Sequence, residues 1–182
     1  MEKSSGKKNT AVLISGRGSN LKSLIKYSKK KKSLIKIVLV VSNNLSAKGL
    51  NYANKYKINN FFIKYSNRKN FEDRLLKLLK RKNVDLICLA GFMKILSGSF
   101  IKKFYRPILN IHPSLLPRYK GLNTHSRAIQ NKEQYSGATV HVVNEKLDSG
   151  KIILQEKVKI QKSDSVRNLE KKVLKIEHKI YP

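Results

Sequence analysis

The chain has few of the features that mark secreted, membrane-spanning or metal-binding proteins. Its 182 residues include one cysteine, Cys88, which excludes an internal disulfide framework. No run approaches the roughly 18 apolar residues that a membrane helix needs, and the apolar stretch 11–14 is too short for the core of a signal peptide. Neither an H-E-x-x-H nor a C-x-x-C spacing is present, so no metal site is expected. We therefore predict a protein of the reducing cytoplasm, without a membrane partner.

Acidic residues are also scarce. The sequence has 11 Asp and Glu against 40 Lys and Arg, which gives a formal net charge of +29. Such an excess is typical of nucleic-acid-binding proteins. However, 32 of the basic residues are lysine and 8 are arginine, and arginine is the residue preferred for bidentate phosphate and base contacts. We interpret the excess as solvated lysine faces with no specific nucleic-acid partner. The positive field would still speed capture of an anionic small substrate.

The apolar pattern alternates between strand-like and helix-like segments. Residues 1–9 are polar and basic and are predicted to form a flexible arm, and residues 10–182 a single domain. Strands are predicted at 10–14, 35–41, 61–63, 86–90, 108–111, 138–143 and 152–160, with helical spacing at 21–25, 47–57 and 71–79. This alternation predicts an α/β fold with a mostly parallel central sheet and helices on both faces. Ligands of such sheets bind at the carboxyl ends of the strands.

A glycine loop, residues 16–20 (Gly-Arg-Gly-Ser-Asn), follows the first predicted strand. Backbone amides at the start of a helix can bind an anion, and Ser19 and Asn20 can add side-chain donors. The spacing is neither G-x-G-x-x-G nor a Walker loop, so a monophosphate fits better than a dinucleotide. An ordinary strand-to-helix turn, capped by Ser or Asn, explains the same residues equally well.

A second polar cluster lies at the end of the strand 108–111. Asn110 and His112 are two residues apart, so their side chains point to the same face of the strand. A carboxamide donor beside an imidazole suits acyl chemistry, because one group can stabilise an oxyanion while the other moves a proton. The alternative is a buried polar pair without catalytic function. The position at the ligand-binding edge of the sheet favours the functional interpretation.

Asp148 lies in the turn Leu147-Asp148-Ser149-Gly150, after the strand 138–143. Asp is common in glycine turns for purely structural reasons. If its carboxylate reaches His112, it would orient the imidazole and favour its protonated form. The distance between Asp148 and His112 therefore decides between the two interpretations.

Five long motifs, collinear from Val12 to Pro182, resemble those of the phosphoribosylglycinamide formyltransferase family, also called GAR transformylases. The motifs are L-I-S-G-R-G-S-N-L, L-A-G-F-M-K-I-L-S, L-N-I-H-P-S-L-L-P-R-Y-K-G-L-N-T-H, G-A-T-V-H-V-V-N-E-K-L-D-S-G-K-I-I-L-Q and E-H-K-I-Y-P. The resemblance implies a Rossmann-like formyltransferase fold. It also implies transfer of a formyl group from 10-formyltetrahydrofolate to the amine of glycinamide ribonucleotide in de novo purine biosynthesis. The implied enzyme uses no metal, takes these two small molecules as its partners, and is a monomer or a homodimer.

The resemblance also assigns roles to individual residues. The catalytic Asn, His and Asp of the family correspond to Asn110, His112 and Asp148. Asn110 and His112 would stabilise the oxyanion of the tetrahedral intermediate, and His112 and Asp148, through water, would manage the proton that leaves the amine. The remaining matches are Gly18, Ser19 and Asn20 for the substrate phosphate, Glu177 near the ribonucleotide, and Arg68, Met93, Lys94, Ile95, Leu96 and Asn110 for the folate.

The chain departs from the family pattern at its C-terminal end. The family continues beyond the position of Pro182, so the chain is expected to lack the family's last segment. Loss of that segment is expected to leave Val173, Ile176 and Ile180 exposed.

Three other functions compete with the leading one. Methionyl-tRNA formyltransferase shares the Asn-x-His…Asp pattern, but it carries an additional RNA-binding domain for which 182 residues leave no room. Formyltetrahydrofolate deformylase usually carries a regulatory domain, and a second His stands where this chain has Pro113. A truncated, inactive homologue is the third alternative, against which the intact Asn110, His112 and Asp148 argue.

Overall fold

The computed structural model describes residues 6–182. The first five residues of the predicted arm lie outside the described residues. The end of the predicted arm is wrong, because Lys8 and Asn9 belong to the first strand, β1 (Lys8–Ile14). The Lys8 amide donates to the Leu34 carbonyl (2.8 Å), and the Asn9 amide donates to Asp85 Oδ2 (3.0 Å). These hydrogen bonds hold residues 8 and 9 in the strand, although their polar side chains do not predict a strand from the sequence.

Strands and helices alternate along most of the chain, as predicted. After β1 the elements are α1 (Ser19–Ser28), β2 (Ile35–Ser42), α2 (Gly49–Lys55), β3 (Asn60–Phe62), α3 (Arg68–Arg81), β4 (Leu86–Leu89), α4 (Gly98–Phe104), β5 (Ile108–His112), α5 (Thr124–Gln130), β6 (Tyr135–Val142), β7 (Ile152–Lys159) and α6 (Val166–Ile180). The predicted strands are all present within a few residues. The helices α4, α5 and α6 have no counterpart among the helical segments predicted from apolar spacing, whereas α2, which is also seven residues long, lies within the predicted segment 47–57.

The chain divides into two compact units, one ending at Ile108 and the other running from Leu109 to Pro182. In the first unit the strands follow the order β3-β2-β1-β4, and all three neighbouring pairs are parallel. In the second unit β5, β6 and β7 form an antiparallel succession. The single domain predicted for residues 10–182 is thus built from two units, and it stays a prediction.

The core of the first unit consists of the central strands and the apolar stripes of its helices. Residues Ala11 to Ile14 of β1 are fully buried, as expected for a strand covered on both faces. Leu21, Leu24 and Ile25 of α1 are buried as well, which confirms the helical spacing predicted for them.

The second unit buries one face of α6. Val173 is fully buried, and Ile176 and Ile180 are each 8% exposed, so the expectation that these three side chains are exposed is wrong. They lie on the helix face that packs toward β6 and β7. Three consecutive side chains on β7, Ile152, Ile153 and Leu154, are among the exposed apolar residues of this unit. Within residues 6–182, no helix has the length and hydropathy that a membrane span requires.

Candidate active site

The antiparallel pair of β5 and β6 places four polar side chains opposite one another. Asn110 pairs in register with His141, and His112 pairs with Thr139. Because residues directly opposite in an antiparallel pair project to the same face, Asn110, His112 and His141 share one side of the sheet. This confirms that Asn110 and His112 point the same way.

Both ring nitrogens of His112 have an oxygen atom nearby. Its Nε2 lies 2.9 Å from the carbonyl oxygen of Tyr119, and since a carbonyl only accepts, Nε2 carries the hydrogen. The other nitrogen, Nδ1, lies 3.4 Å from Asp148 Oδ2. The side chains of His112 and Asp148 are only 7% and 9% exposed. Asp148 therefore reaches His112, which favours the functional interpretation of this turn residue, and Nδ1 is the ring nitrogen that faces the carboxylate.

The Tyr119 carbonyl is fixed by the loop that follows β5. The Tyr119 hydroxyl donates to Glu133 Oε1 (2.7 Å) and accepts from Asn131 Nδ2 (2.9 Å). One residue earlier, the Arg118 carbonyl accepts from the Ser114 hydroxyl (2.7 Å). These bonds hold the loop on both sides of the carbonyl that orients His112.

Asp148 lies in a tightly constrained turn. Its backbone has a positive φ of 44°, and its Oδ2 also accepts the backbone N–H of Gly121 at 2.9 Å. Two residues later, a Cβ at Gly150 would lie 1.7 Å from the carbonyl oxygen of Val142, so no other residue fits there without moving the backbone. Gly150 thus lets the turn pass close to β6, in the same turn that places Asp148 Oδ2 3.4 Å from His112 Nδ1.

His141 joins this cluster, although motif spacing alone does not reveal it. Its Nε2 lies 3.1 Å from Asn110 Nδ2 and 3.7 Å from Asp148 Oδ1. Burial lowers its pKa from the ordinary value of 6.5, and this effect exceeds the opposing effects of the Val142 hydrogen bond and of Asp148. A histidine in the middle of the apolar segment 138–143 is the sequence signal that could have pointed to it.

The glycine loop lies in the first unit, between β1 and α1. Gly18 adopts a positive φ of 73°, and a Cβ there would lie 2.5 Å from the Cα of Gly49, so the position requires glycine. Ser19 is the first residue of α1 and is half-buried, while Asn20 is buried. The predicted strand, glycine turn and helix are therefore present, with amides at the start of a ten-residue helix.

The residues predicted to contact a folate also lie in the first unit. Met93 and Ile95 are 65% and 52% exposed, and the Met93 amide donates to the hydroxyl of Ser15 at 2.8 Å. Lys94 lies over the ring of Tyr65, 4.7 Å from its centroid. Leu96 is buried, whereas Arg68 is exposed at the start of α3.

Glu177 occupies a different place from the other predicted substrate residues. It is buried on α6 in the second unit, at 8% exposure. The same helix carries Glu170. The charge of Glu170 raises the pKa of His125 on α5, whereas the charge of His112 lowers it.

Among residues 6–182, no group of three or more His, Cys, Asp or Glu side chains is arranged to hold a metal ion.

The comparison with known families matches residues 8–182 to the Formyl transferase family. The chain belongs to this family. The match spans both units and all the candidate site residues.

Individual relatives agree with the family assignment. The chain is 44% identical to the phosphoribosylglycinamide formyltransferase of Haemophilus influenzae over 96% of its own length and 84% of that protein. It is 45% identical to the trifunctional purine biosynthetic protein adenosine-3 of Bos taurus over 97% of its length, but it spans 18% of that longer protein.

A solved structure confirms the fold. The phosphoribosylglycinamide formyltransferase of Anaplasma phagocytophilum matches with a TM-score of 0.91 and 41% identity, covering 97% of this chain and 84% of that one. The predicted Rossmann-like α/β formyltransferase fold is therefore correct.

Proposed function

We propose that the chain transfers a formyl group from 10-formyltetrahydrofolate to the amine of glycinamide ribonucleotide, as a step of de novo purine biosynthesis. The observation that carries the proposal is the grouping of Asn110, His112 and Asp148 on one face of the second unit, in a chain of the Formyl transferase family. The Haemophilus influenzae and Anaplasma phagocytophilum relatives are named for this activity.

The proposed reaction is an acyl transfer between two nitrogens. The amine attacks the formyl carbon, the carbonyl oxygen becomes an oxyanion, and the bond between carbon and the folate nitrogen then breaks. The amine loses one proton and the folate nitrogen gains one. Preorganised donors aimed at the oxyanion typically contribute a factor of roughly 10²–10³ to the rate. Neither a covalent enzyme intermediate nor a metal is needed for this balance.

Each residue of the cluster has a role in this scheme. Asn110 Nδ2 has two hydrogens, and since one is directed at His141 the other is available to the oxyanion. His112 can donate from Nδ1 once that nitrogen is protonated, because Nε2 is already bonded to Tyr119. Asp148 lies beside Nδ1 and carries the charge that compensates the protonated ring. The proton released by the amine reaches this pair through water.

The substrate contacts form the second part of the proposal. Gly18, Ser19 and Asn20 hold the ribonucleotide phosphate at the start of α1, where backbone amides and the helix dipole favour an anion. Glu177 stays a proposed contact of the same substrate. The exposed apolar side chains of Met93 and Ile95 fit a flat pterin ring.

The basic residues support the folate assignment. Lys94 and Arg68 can pair with the carboxylates of the folate tail. Both proposed small-molecule partners are anions, so the net charge of +29 would speed their capture without a specific nucleic-acid contact. A cytoplasmic enzyme that is a monomer or homodimer remains our expectation.

An acceptor panel tests the proposal. The purified chain is supplied with 10-formyltetrahydrofolate and, in separate reactions, glycinamide ribonucleotide, formyl-acceptor methionyl-tRNA, or no acceptor. We expect formylation of glycinamide ribonucleotide alone. Transfer to methionyl-tRNA, or release of formate without an acceptor, would replace the proposal with one of the two rival activities. A folded chain that formylates nothing would indicate an inactive homologue.

A further inference from the structure

His141 is placed to control the side chain that meets the formyl oxygen. It lies on β6 directly opposite Asn110 of β5, and its side chain is 2% exposed. The 3.1 Å separation between His141 Nε2 and Asn110 Nδ2 is a hydrogen-bond distance. Which of the two groups donates depends on the tautomer of the ring.

The backbone settles the tautomer. His141 Nδ1 lies 3.0 Å from the carbonyl oxygen of Val142, which can only accept a hydrogen bond, so Nδ1 carries the hydrogen. Burial lowers the pKa of His141 and keeps the ring neutral near pH 7. A neutral ring protonated at Nδ1 has a bare lone pair on Nε2. Asn110 must therefore present its Nδ2, and not its Oδ1, to His141.

We propose that His141 is a positioning residue that locks the Asn110 amide with its NH2 group toward the reaction. The inference rests on the proposed function, in which the second hydrogen of Asn110 Nδ2 meets the oxyanion. Without an acceptor at position 141, the amide can rotate by half a turn and present Oδ1, a second negative oxygen, to the oxyanion. Such a rotation removes the donor and adds a repulsion at the same time.

Two substitutions of similar size separate this role from simple packing. His141→Leu fills the space but offers no acceptor, whereas His141→Gln retains an oxygen that can accept from Asn110 Nδ2. We expect His141→Leu to lower kcat roughly 10- to 100-fold with little change in either KM, because the lost interaction acts in the transition state. We expect His141→Gln to recover most of that loss. Equal losses in both variants would overturn the proposal.

A double-mutant cycle gives the sharper test. In an Asn110→Ala background there is no amide left to orient, so we expect His141→Leu to cause no further loss of kcat. A further loss equal to that seen with Asn110 present would show that His141 acts through general packing, and the proposal would fall.

The ring nitrogens provide a readout that does not depend on turnover. In the 15N-labelled wild-type chain, we expect the His141 signals of a ring protonated at Nδ1 and bare at Nε2, with the Nε2 signal shifting in Asn110→Ala. A ring protonated at Nε2 would contradict the proposal. If the wild-type chain did not formylate glycinamide ribonucleotide, the proposed function would fail, whereas this spectrum would still decide how His141 and Asn110 are bonded. It also decides the question if His141→Leu does not fold.

Discussion

The carbonyl oxygen of Tyr119 lies 2.9 Å from Nε2 of His112 and fixes which ring nitrogen faces Asp148. Because this acceptor belongs to the backbone, substitution of the Tyr119 side chain does not remove it. Its position nevertheless depends on the loop, which the Tyr119 hydroxyl ties to Glu133. The orientation of the imidazole that we propose as catalytic is thus linked to a hydrogen bond made by the Tyr119 hydroxyl.

Tyr119→Phe tests this link. We expect kcat to fall about tenfold, because loss of the hydroxyl loosens the loop, and small displacements of a catalytic group are costly. Tyr135→Phe is the matched control, since Tyr135 is 41% exposed and its ring lies against Lys157. Steady-state kinetics on glycinamide ribonucleotide distinguish the two variants, and equal kcat values in both would contradict the link.

The glycine loop predicts a different kinetic signature. We expect the double substitution Ser19→Ala, Asn20→Ala to raise the KM for glycinamide ribonucleotide at least several-fold. The KM for the folate should change little, because the proposal assigns the lost groups to the phosphate and not to the folate. Ser28→Ala removes the same type of side chain from the other end of α1 and serves as the control. An unaltered KM in the double variant would remove the phosphate assignment.

His125 predicts how stability depends on pH. Burial lowers the pKa of His125 in the folded chain below its ordinary value of 6.5, despite the opposing charge of Glu170. Below pH 6.5 the unfolded chain therefore binds more protons than the folded chain, and the free energy of unfolding falls as the pH decreases. We expect urea unfolding to show a smaller loss of stability between pH 7.5 and pH 5.5 in His125→Gln than in the wild type. An equal loss in both chains would show that His125 does not contribute.

Substitution of Gly150 is expected to lower the stability of the folded chain. In Gly150→Ala the added Cβ would meet the Val142 carbonyl at 1.7 Å, and we expect the free energy of unfolding to fall by about 3 kcal/mol, since the obstacle is backbone. Gly16→Ala meets no atom within 4 Å and should change stability by less than about 0.5 kcal/mol. Thermal unfolding compares the two variants, and similar melting temperatures would show that the Asp148 turn tolerates a side chain.

Much of the fold follows from the sequence because apolar periodicity is strong in its central elements. The run 35–41 predicts β2, and the spacing of Leu21, Leu24 and Ile25 predicts α1. The polar start of β1 lacks such periodicity, so its place in the sheet depends on contacts that only the folded chain supplies. The burial of Val173 also depends on tertiary structure, because α6 packs against β6 and β7 of the same unit.

The candidate site divides in the same way. The spacing of Asn110 and His112 shows that they share a strand face, and the motifs that resemble the family add Asp148. The role of His141 depends on the register between β5 and β6 and on a hydrogen bond to a neighbouring carbonyl. Neither can be read from residue spacing, since a histidine within an apolar strand is compatible with many partners.

The most direct test of the account compares formyl transfer to glycinamide ribonucleotide by the wild-type chain, His112→Ala, Asp148→Asn and Glu156→Gln. Glu156→Gln is the matched control, because it removes a carboxylate of the same unit that pairs with Lys179 at the surface. We expect kcat to fall by roughly 10²–10⁴ in the first two variants, with unchanged circular dichroism, and to stay at the wild-type value in Glu156→Gln. Wild-type turnover in folded His112→Ala or Asp148→Asn would contradict the assignment of this cluster as the catalytic centre.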